Sequence, residues 1–303
     1  MISFRYHLVS IVAVFLALAL GVVVGTTVVN QGIVDDLRRR TDAAVQNADK
    51  LRSQIADLNS QLNASKSFEN VVMPILIKDQ LTGVDVVVLT QQDVSASDVE
   101  GVRRALTDAG AIVVAELVVT NRMALADGSS QAELAAALGV TNTGASDQLA
   151  KEAARALGTR LSTGPALDPG DDLLTKLGSS GFLLTRGGAG PDSIGGAGQA
   201  VVLVSGATSP TVDPGSFLAP LATALVQAGR PVAAVETEAA VAPFVPLLRE
   251  DGSLDGHLVT VDDVDSTPGR VALVLGLRDL LSSPGKGGDY GVKAGASGLL
   301  PRP

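Results

Sequence analysis

Acidic side chains follow several of the predicted strands, and they are the residues of this sequence best suited to chemistry. The five are Asp93, Glu236, Glu238, Asp262 and Asp263. The parallel strands of an α/β sheet end at one edge, where ligands bind, so these carboxylates could lie near one another. Carboxylate oxygens suit a hard cation such as Mg²⁺ or Ca²⁺. Acids at strand ends more often cap helices or face solvent, and we therefore predict no metal site and no cofactor.

Other catalytic chemistry has few residues to draw on. The chain has no cysteine, which removes disulfides, thiolate catalysis and cysteine metal ligands. Two histidines, His7 and His257, are too few to indicate a Ser-His-Asp triad or a histidine-rich metal site. The glycine-rich segment 187–198 departs from the G-x-G-x-x-G spacing and contains Pro191, which favours a mobile surface loop over a phosphate loop. We predict that the protein is not an enzyme; the alternative is an enzyme that uses the acidic strand ends.

The charge balance limits the partners. The chain has 303 residues and a formal net charge of −9, which argues against nucleic acid or anionic lipid as the main partner. Aromatic residues make up only 3% of the sequence, so the core must be built from valine, leucine, isoleucine and alanine.

An uninterrupted apolar segment, Leu8–Val29, follows a short N-terminal tail of residues 1–7. It carries no charge and reaches the length of about 20 apolar residues that crosses a bilayer. A cleaved signal peptide has a shorter apolar core that ends at a small-x-small site, whereas this run continues well past Ala17-Leu18-Ala19. We predict a retained transmembrane helix over residues 8–29, with a cleaved signal as the alternative. Basic residues on both sides, Arg5 and the arginines at 38–40, leave its orientation open.

Small residues line one face of this predicted helix. Ala13, Ala17, Gly21 and Gly25 recur every four residues. The pair Gly21 and Gly25 forms the G-x-x-x-G pattern that lets two helix backbones approach closely. The pattern predicts dimerisation through Gly21 and Gly25, unless these small residues only reflect their abundance in membrane helices.

Residues 30–67 carry a heptad pattern that predicts a coiled-coil stalk. The alternation of three and four residues runs from Val34 to Ser65, which is more than four heptads. A parallel homodimer is predicted, with membrane lipid around its anchor; the alternative is one amphipathic helix packed on its own domain. The weak seam between Thr41 and Ala48 would leave room for a helix of an envelope protein partner. The predicted dimer contacts in the stalk are Val34, Leu37, Ala48, Leu51, Ile55, Leu58 and Leu62.

The rest of the chain alternates apolar strands with helical segments. Val71–Leu81 is apolar enough for a short buried helix. Val84–Thr90 reads as a buried strand, Ser97–Ala109 as a helix and Ala111–Val119 as a second strand. The same alternation continues to residue 284, with later helices predicted over Leu218–Gly229, Glu238–Arg249 and Pro268–Leu281. It predicts a Rossmann-like, doubly wound domain with a parallel sheet over residues 68–284. Residues 285–303 are rich in glycine and proline, and we predict an irregular tail there.

The opening MISFRYHLVSIVAVFLALALGVVVG resembles the start of the copper transport protein family MctB, which is also described as SteB in a cell-division role. The segments Asp289-Tyr290-Gly291-Val292 and Leu299-Leu300-Pro301 are similar to the C-terminal signature of that family. Anchor, stalk and α/β domain follow the family's order, so the resemblance spans the chain.

The resemblance implies an envelope protein whose large domain lies outside the cytoplasmic membrane. It implies a role in copper efflux or homeostasis, with copper as a possible ligand. The alternative that it implies is a dimeric scaffold that binds and activates a peptidoglycan hydrolase during division. No motif of cysteine, methionine or histidine carries a metal ligand over from the family.

Overall fold

The computed structural model of the protein describes residues 4–141, 145–187 and 190–302. Contacts within the chain divide it into two units, Met1–Phe68 and Glu69–Pro303.

The first unit consists of the helix α1, which runs from Phe4 to Ile77 and continues into the second unit. Its part Phe4–Thr26 is exposed, has a mean hydropathy of 2.9 and is long enough to cross a membrane. No glycine or proline lies between Ile33 and Pro74, so nothing in the sequence breaks the helix there. The segment Val71–Leu81, which the sequence predicts to be a separate buried helix, instead supplies the last turns of α1 and the bend after it.

The second unit contains a mixed seven-stranded sheet, ordered β3-β2-β1-β4-β5-β6-β7. Its strands are β1 (Asp85–Gln91), β2 (Ile112–Val119), β3 (Leu183–Arg186), β4 (Gln199–Val204), β5 (Val232–Val235), β6 (Val259–Val261) and β7 (Gly288–Tyr290). Its helices after α1 are α2 (Ala96–Asp108), α3 (Gly128–Leu138), α4 (Ser146–Thr163), α5 (Leu173–Ser179), α6 (Leu218–Gln227), α7 (Val245–Arg249) and α8 (Thr267–Ser282).

Both faces of the sheet are buried, which explains why its strands are continuously apolar. In β1, Val86 and Val88 pack in one core with residues of α2 and α8, and Ile77 at the end of α1 belongs to that core. Val87 and Leu89 point the other way, into a core built with α3 to α7. This three-layer arrangement confirms the predicted α/β class.

The strand β3 is antiparallel to β2, whereas the sequence predicts a wholly parallel sheet. The reason lies at the carboxyl end of β2. There the Thr120 hydroxyl donates to the carbonyl of Gly181 at 2.7 Å, and the Thr120 N–H donates to the carbonyl of Phe182 at 3.0 Å. Because α5 ends beside the carboxyl end of β2, the next strand can only run back along it.

Two further predictions are wrong in part. The tail 285–303 is not irregular throughout, because β7 lies in it and extends the sheet parallel to β6. The helix predicted over Glu238–Arg249 is limited to the five residues of α7. Pro243 disfavours a helical residue before it, and Pro246 is tolerated only because it falls in the first turn.

A buried ion pair anchors the glycine-rich segment 187–198, of which residues 188–189 lie outside the described residues. Arg160 of α4 pairs with Asp172 at the N-cap of α5, and the two side chains are 6% and 2% exposed. The same guanidinium donates to the carbonyls of Ile194 at 2.7 Å and Pro191 at 2.9 Å. The described part of the segment is therefore held against α4, and a loop free of the domain is the wrong picture for residues 190–198.

This pair predicts an acid-sensitive fold. Burial of Asp172 raises the pKa of its carboxyl, but the hydrogen bonds from Arg160 and the Ala166 N–H, with the charge of Arg160, lower it below the ordinary value of 3.8. The stabilisation by this carboxylate is therefore present above the ordinary pKa and lost as the pH falls through the lower folded pKa.

We expect Asp172→Asn to lower the free energy of unfolding by about 3 kcal/mol at pH 7, since it leaves the Arg160 charge buried and unpaired. The deficit should shrink below pH 4. Urea unfolding followed by circular dichroism measures both effects. The control is Asp171→Asn, whose carboxylate is 78% exposed and pairs with Lys176 at the surface. Equal stability losses in the two variants would contradict the argument.

Candidate functional site

The place where a doubly wound fold binds ligands is occupied here by the chain's own side chains. The strand order reverses between β1 and β4, which puts the expected crevice at their carboxyl ends. Gln91, at the end of β1, donates to the carbonyl of Val212 at 2.6 Å and accepts from the Ser205 hydroxyl at 3.2 Å. Asp93 accepts from the N–H of Thr211 at 2.7 Å. The loop after β4 therefore closes over the crevice.

Glu236, after β5, accepts a hydrogen bond from Lys293, which lies in the segment after β7 (residues 291–302, the C-terminal segment). Its carboxylate is 1% exposed and accepts from the Lys293 ammonium at 2.8 Å. The other carboxylate oxygen accepts from the N–H groups of Phe244 and Val245, where α7 begins. Lys293 also donates to the carbonyls of Thr237, at 3.0 Å, and Ala240, at 3.3 Å. The ammonium thus takes the position that a cation would take at this edge.

Asp262, after β6, is fully buried and fully bonded. One oxygen accepts from the Arg249 guanidinium at 2.5 Å. The other accepts from the N–H groups of Val292 at 2.7 Å and Lys293 at 3.0 Å. Arg249, whose side chain is 4% exposed, also donates to the carbonyl of Tyr290. The carboxylate therefore joins α7, β6 and the C-terminal segment.

The remaining predicted acids do not complete a cation site. Glu238 is exposed, and its N–H donates to the carboxylate of Asp265. Asp263 is buried and accepts from the hydroxyl of Ser266, the N-cap of α8. Burial raises the pKa of Asp263, and the nearby carboxylates of Asp262, Asp265 and Glu238 raise it further. Across residues 4–141, 145–187 and 190–302, no three histidine or acidic side chains converge as metal ligands would.

Sequence reasoning missed Arg249 and Lys293, the two cations that pair with Asp262 and Glu236. Neither belongs to a motif, and Lys293 lies in the segment predicted to be irregular. The only local signal is Gly291, two residues before Lys293. Its φ of +125° belongs to the region that glycine favours, and a Cβ there would clash with the carboxylate of Asp262.

The predicted dimer contacts lie on α1, and their apolar side chains are exposed. Leu51 is 59% exposed, Leu58 is 63% exposed, and Val34, Leu37, Ile55 and Leu62 are also exposed. Ala48 is half-buried. Around Gly21 and Gly25 a Cβ would meet no atom within 4 Å. Both faces are thus available to a partner, and pairing through them stays a prediction.

Known proteins resemble the whole chain. The sequence model of a family described as “Copper transport outer membrane protein, MctB” matches residues 1–301. The protein named Copper transporter MctB of Mycobacterium tuberculosis (strain ATCC 25618 / H37Rv) is 30% identical over 318 residues, which cover 98% of each chain. The protein of the same name from Mycobacterium leprae (strain TN) is 31% identical over 319 residues, or 99% of each chain.

The bonding of Asp262 predicts a structural role for it. We expect Asp262→Asn to lower the free energy of unfolding by about 3 kcal/mol, because the Arg249 charge would lose its buried partner. Asp108→Asn, at an exposed position, is the control and should change stability by less than about 0.5 kcal/mol. Thermal unfolding with and without millimolar Mg²⁺ or Ca²⁺ completes the test. Stabilisation of the parent protein by either cation, lost in Asp262→Asn, would instead reveal a metal site.

Proposed function

Since the chain belongs to the MctB family of copper transport proteins, we propose that it acts in copper homeostasis as a membrane-anchored protein of the cell envelope. The observation that carries this proposal is the extent of the match, which includes the apolar N-terminal helix as well as the α/β unit. The family match therefore supports both the copper role and the membrane anchor.

The ligand chemistry favours an indirect role in copper handling. Cu(I) prefers thiolate and thioether ligands, and Cu(II) prefers imidazole-rich sites. The sequence has no cysteine, Met123 is buried in the core at 1% exposure, and His257 is the only histidine after residue 7. This donor set supports a protein that assists copper export through a partner, and it does not support one that holds the ion tightly.

We further propose that the protein crosses the membrane once and that Glu69–Pro303 lies outside the cytoplasm. The description of the family as an outer membrane protein favours that side. The basic residues that flank the apolar segment leave the question open, because long domains are translocated largely regardless of charge.

A parallel homodimer through α1 is part of the proposal. Burying an exposed leucine or isoleucine contributes about 1.5–3 kcal/mol, so the larger heptad side chains of two copies would suffice to hold a pair. Leu51, Ile55, Leu58 and Leu62 lie in the half of the stalk nearest to the α/β unit, where the seam has its larger residues. Gly21 and Gly25 would add close packing within the membrane.

We propose binding rather than catalysis as the task of the α/β unit. The crevice between β1 and β4 is closed by Gln91 and Ser205, and the carboxylates of Asp262 and Glu236 are engaged by Arg249 and Lys293. An enzyme that uses the acidic strand ends would need these carboxylates free. The names of the relatives refer to copper transport and give no support to the cell-division scaffold.

Deletion of the gene tests the copper role. Cell-associated copper, measured by mass spectrometry of washed cells in copper-containing medium, should rise at least twofold in the deletion strain and return to the parental level on complementation. Cell-associated zinc is the control and should not change. Unchanged copper content and copper tolerance would contradict the proposal.

A pair of charge substitutions tests the dimer. Leu51→Glu with Leu58→Glu places two charges in the predicted seam and should convert the detergent-solubilised protein to a monomer, as light scattering after size exclusion would show. Ser53→Glu with Ser60→Glu adds the same charge at the same spacing on the opposite side of α1, and this control should remain a dimer. A dimer in both variants would show that this seam is not required for pairing.

A further inference from the structure

A groove of about 490 Å³ lies between α4, α6 and α7 on one face of the second unit. It is lined by Lys151 and Arg155 of α4, by Thr223 and Gln227 of α6, and by Leu247 of α7. Gly158 lets α4 approach α6, because a Cβ at this position would lie 2.8 Å from the Cβ of Ala224. The groove is therefore built by close packing of regular elements.

The two cations of the groove lack acidic partners. Lys151 and Arg155 are one turn apart on α4, a spacing at which like charges destabilise a helix. In the part of the chain that the structure describes, neither side chain forms an ion pair. Two arginines at neighbouring positions of α2 contrast with them, since Arg103 and Arg104 both pair with Glu100, at 2.6 and 3.6 Å.

One acid, Asp251, also lines the groove, and it accepts two hydrogen bonds from Ser253. The carboxylate of Asp251 accepts from the Ser253 N–H at 3.1 Å and from the Ser253 hydroxyl at 2.6 Å. These bonds lower the pKa of Asp251 and hold its carboxylate at the start of the short helical turn 252–254. Asp251 therefore stays ionised at neutral pH, and the groove carries two positive charges and one negative charge in a chain whose net charge is −9.

The shape of the groove decides the size of the ligand. Ala219, Pro220 and Ala224 also line the groove and give it an apolar part. Leu247 is 40% exposed and Arg155 is exposed, so the groove is open to solvent. A small molecule usually buries 70–90% of its surface in its site, which an open groove does not provide. A polypeptide segment that continues beyond both ends of the groove fits better.

We propose that this groove binds an acidic segment of a partner protein. Two carboxylates about 6 Å apart, the spacing of alternate residues in an extended chain, would pair with Lys151 and Arg155. Small apolar side chains of the segment would pack on Ala219, Ala224 and Leu247. The site is separate from the proposed dimer seam on α1 and does not depend on a role in copper handling.

Photo-crosslinking in the native cells tests the proposal with the full-length protein. A photoreactive residue replaces Gln227, which is exposed at the groove. The crosslinked peptide is then identified by mass spectrometry. We expect a segment of another protein with at least two acidic residues at alternate or neighbouring positions. Lys151→Glu with Arg155→Glu should lower the crosslink yield about tenfold, because both ion pairs become repulsive.

Two controls separate charge recognition from loss of the fold. Lys78→Glu with Lys286→Glu makes the same change in net charge at exposed positions outside the groove, and its crosslink yield should equal that of the parent. Lys151→Arg with Arg155→Lys keeps both charges and should keep the crosslink. Circular dichroism melting must give equal transitions for all variants compared.

Four outcomes would overturn the proposal. They are the absence of a crosslink from position 227, a crosslinked segment without acidic residues, a crosslink to a second copy of this chain, and a yield that the Lys151→Glu, Arg155→Glu variant leaves unchanged.

Discussion

The carboxylate of Asp262 is the point on which the carboxyl edge of the sheet depends. It lies at the end of β6, fully buried, and binds a guanidinium of α7 and two N–H groups of the C-terminal segment. A buried carboxylate without partners would cost several kcal/mol, so the sheet can end in acids only if α7 and the C-terminal segment supply positive charge and donors. Gly291 permits this contact, because any side chain there would meet the carboxylate.

Two other buried carboxylates follow the same rule. Arg160 pairs with Asp172 under the segment 190–198, and Glu236 pairs with Lys293 beside α7. In each case a charge from a helix or strand end meets one from a distant loop, and backbone carbonyls satisfy the remaining donors. The bonds of Gln91 and Asp93 close the crevice between the ends of β1 and β4. The exposed face of α1 and the groove between α4, α6 and α7 are open to other molecules.

The MctB family is described by copper transport, and this sequence has no cysteine, whose thiolate Cu(I) prefers. One apolar helix of the chain is long enough to cross a membrane. In the indirect role that we propose, the protein would act on copper through a partner. The positive groove suits an acidic partner, whereas the remaining surface, with its excess of acids, repels one.

The sequence by itself determined the apolar helix, the α/β class and the positions of most strands, because hydrophobic periodicity reports locally which side chains are buried. It identified all five acids at the strand ends. Only the tertiary structure decided what those acids do, since Lys293 is 57 residues from Glu236 and Arg249 is 13 residues from Asp262. Periodicity carries no information about the path of a loop. For the same reason the antiparallel direction of β3 and the pairing of β7 with β6 emerged only when the chain was folded, with Thr120 fixing the first and Asp262 the second.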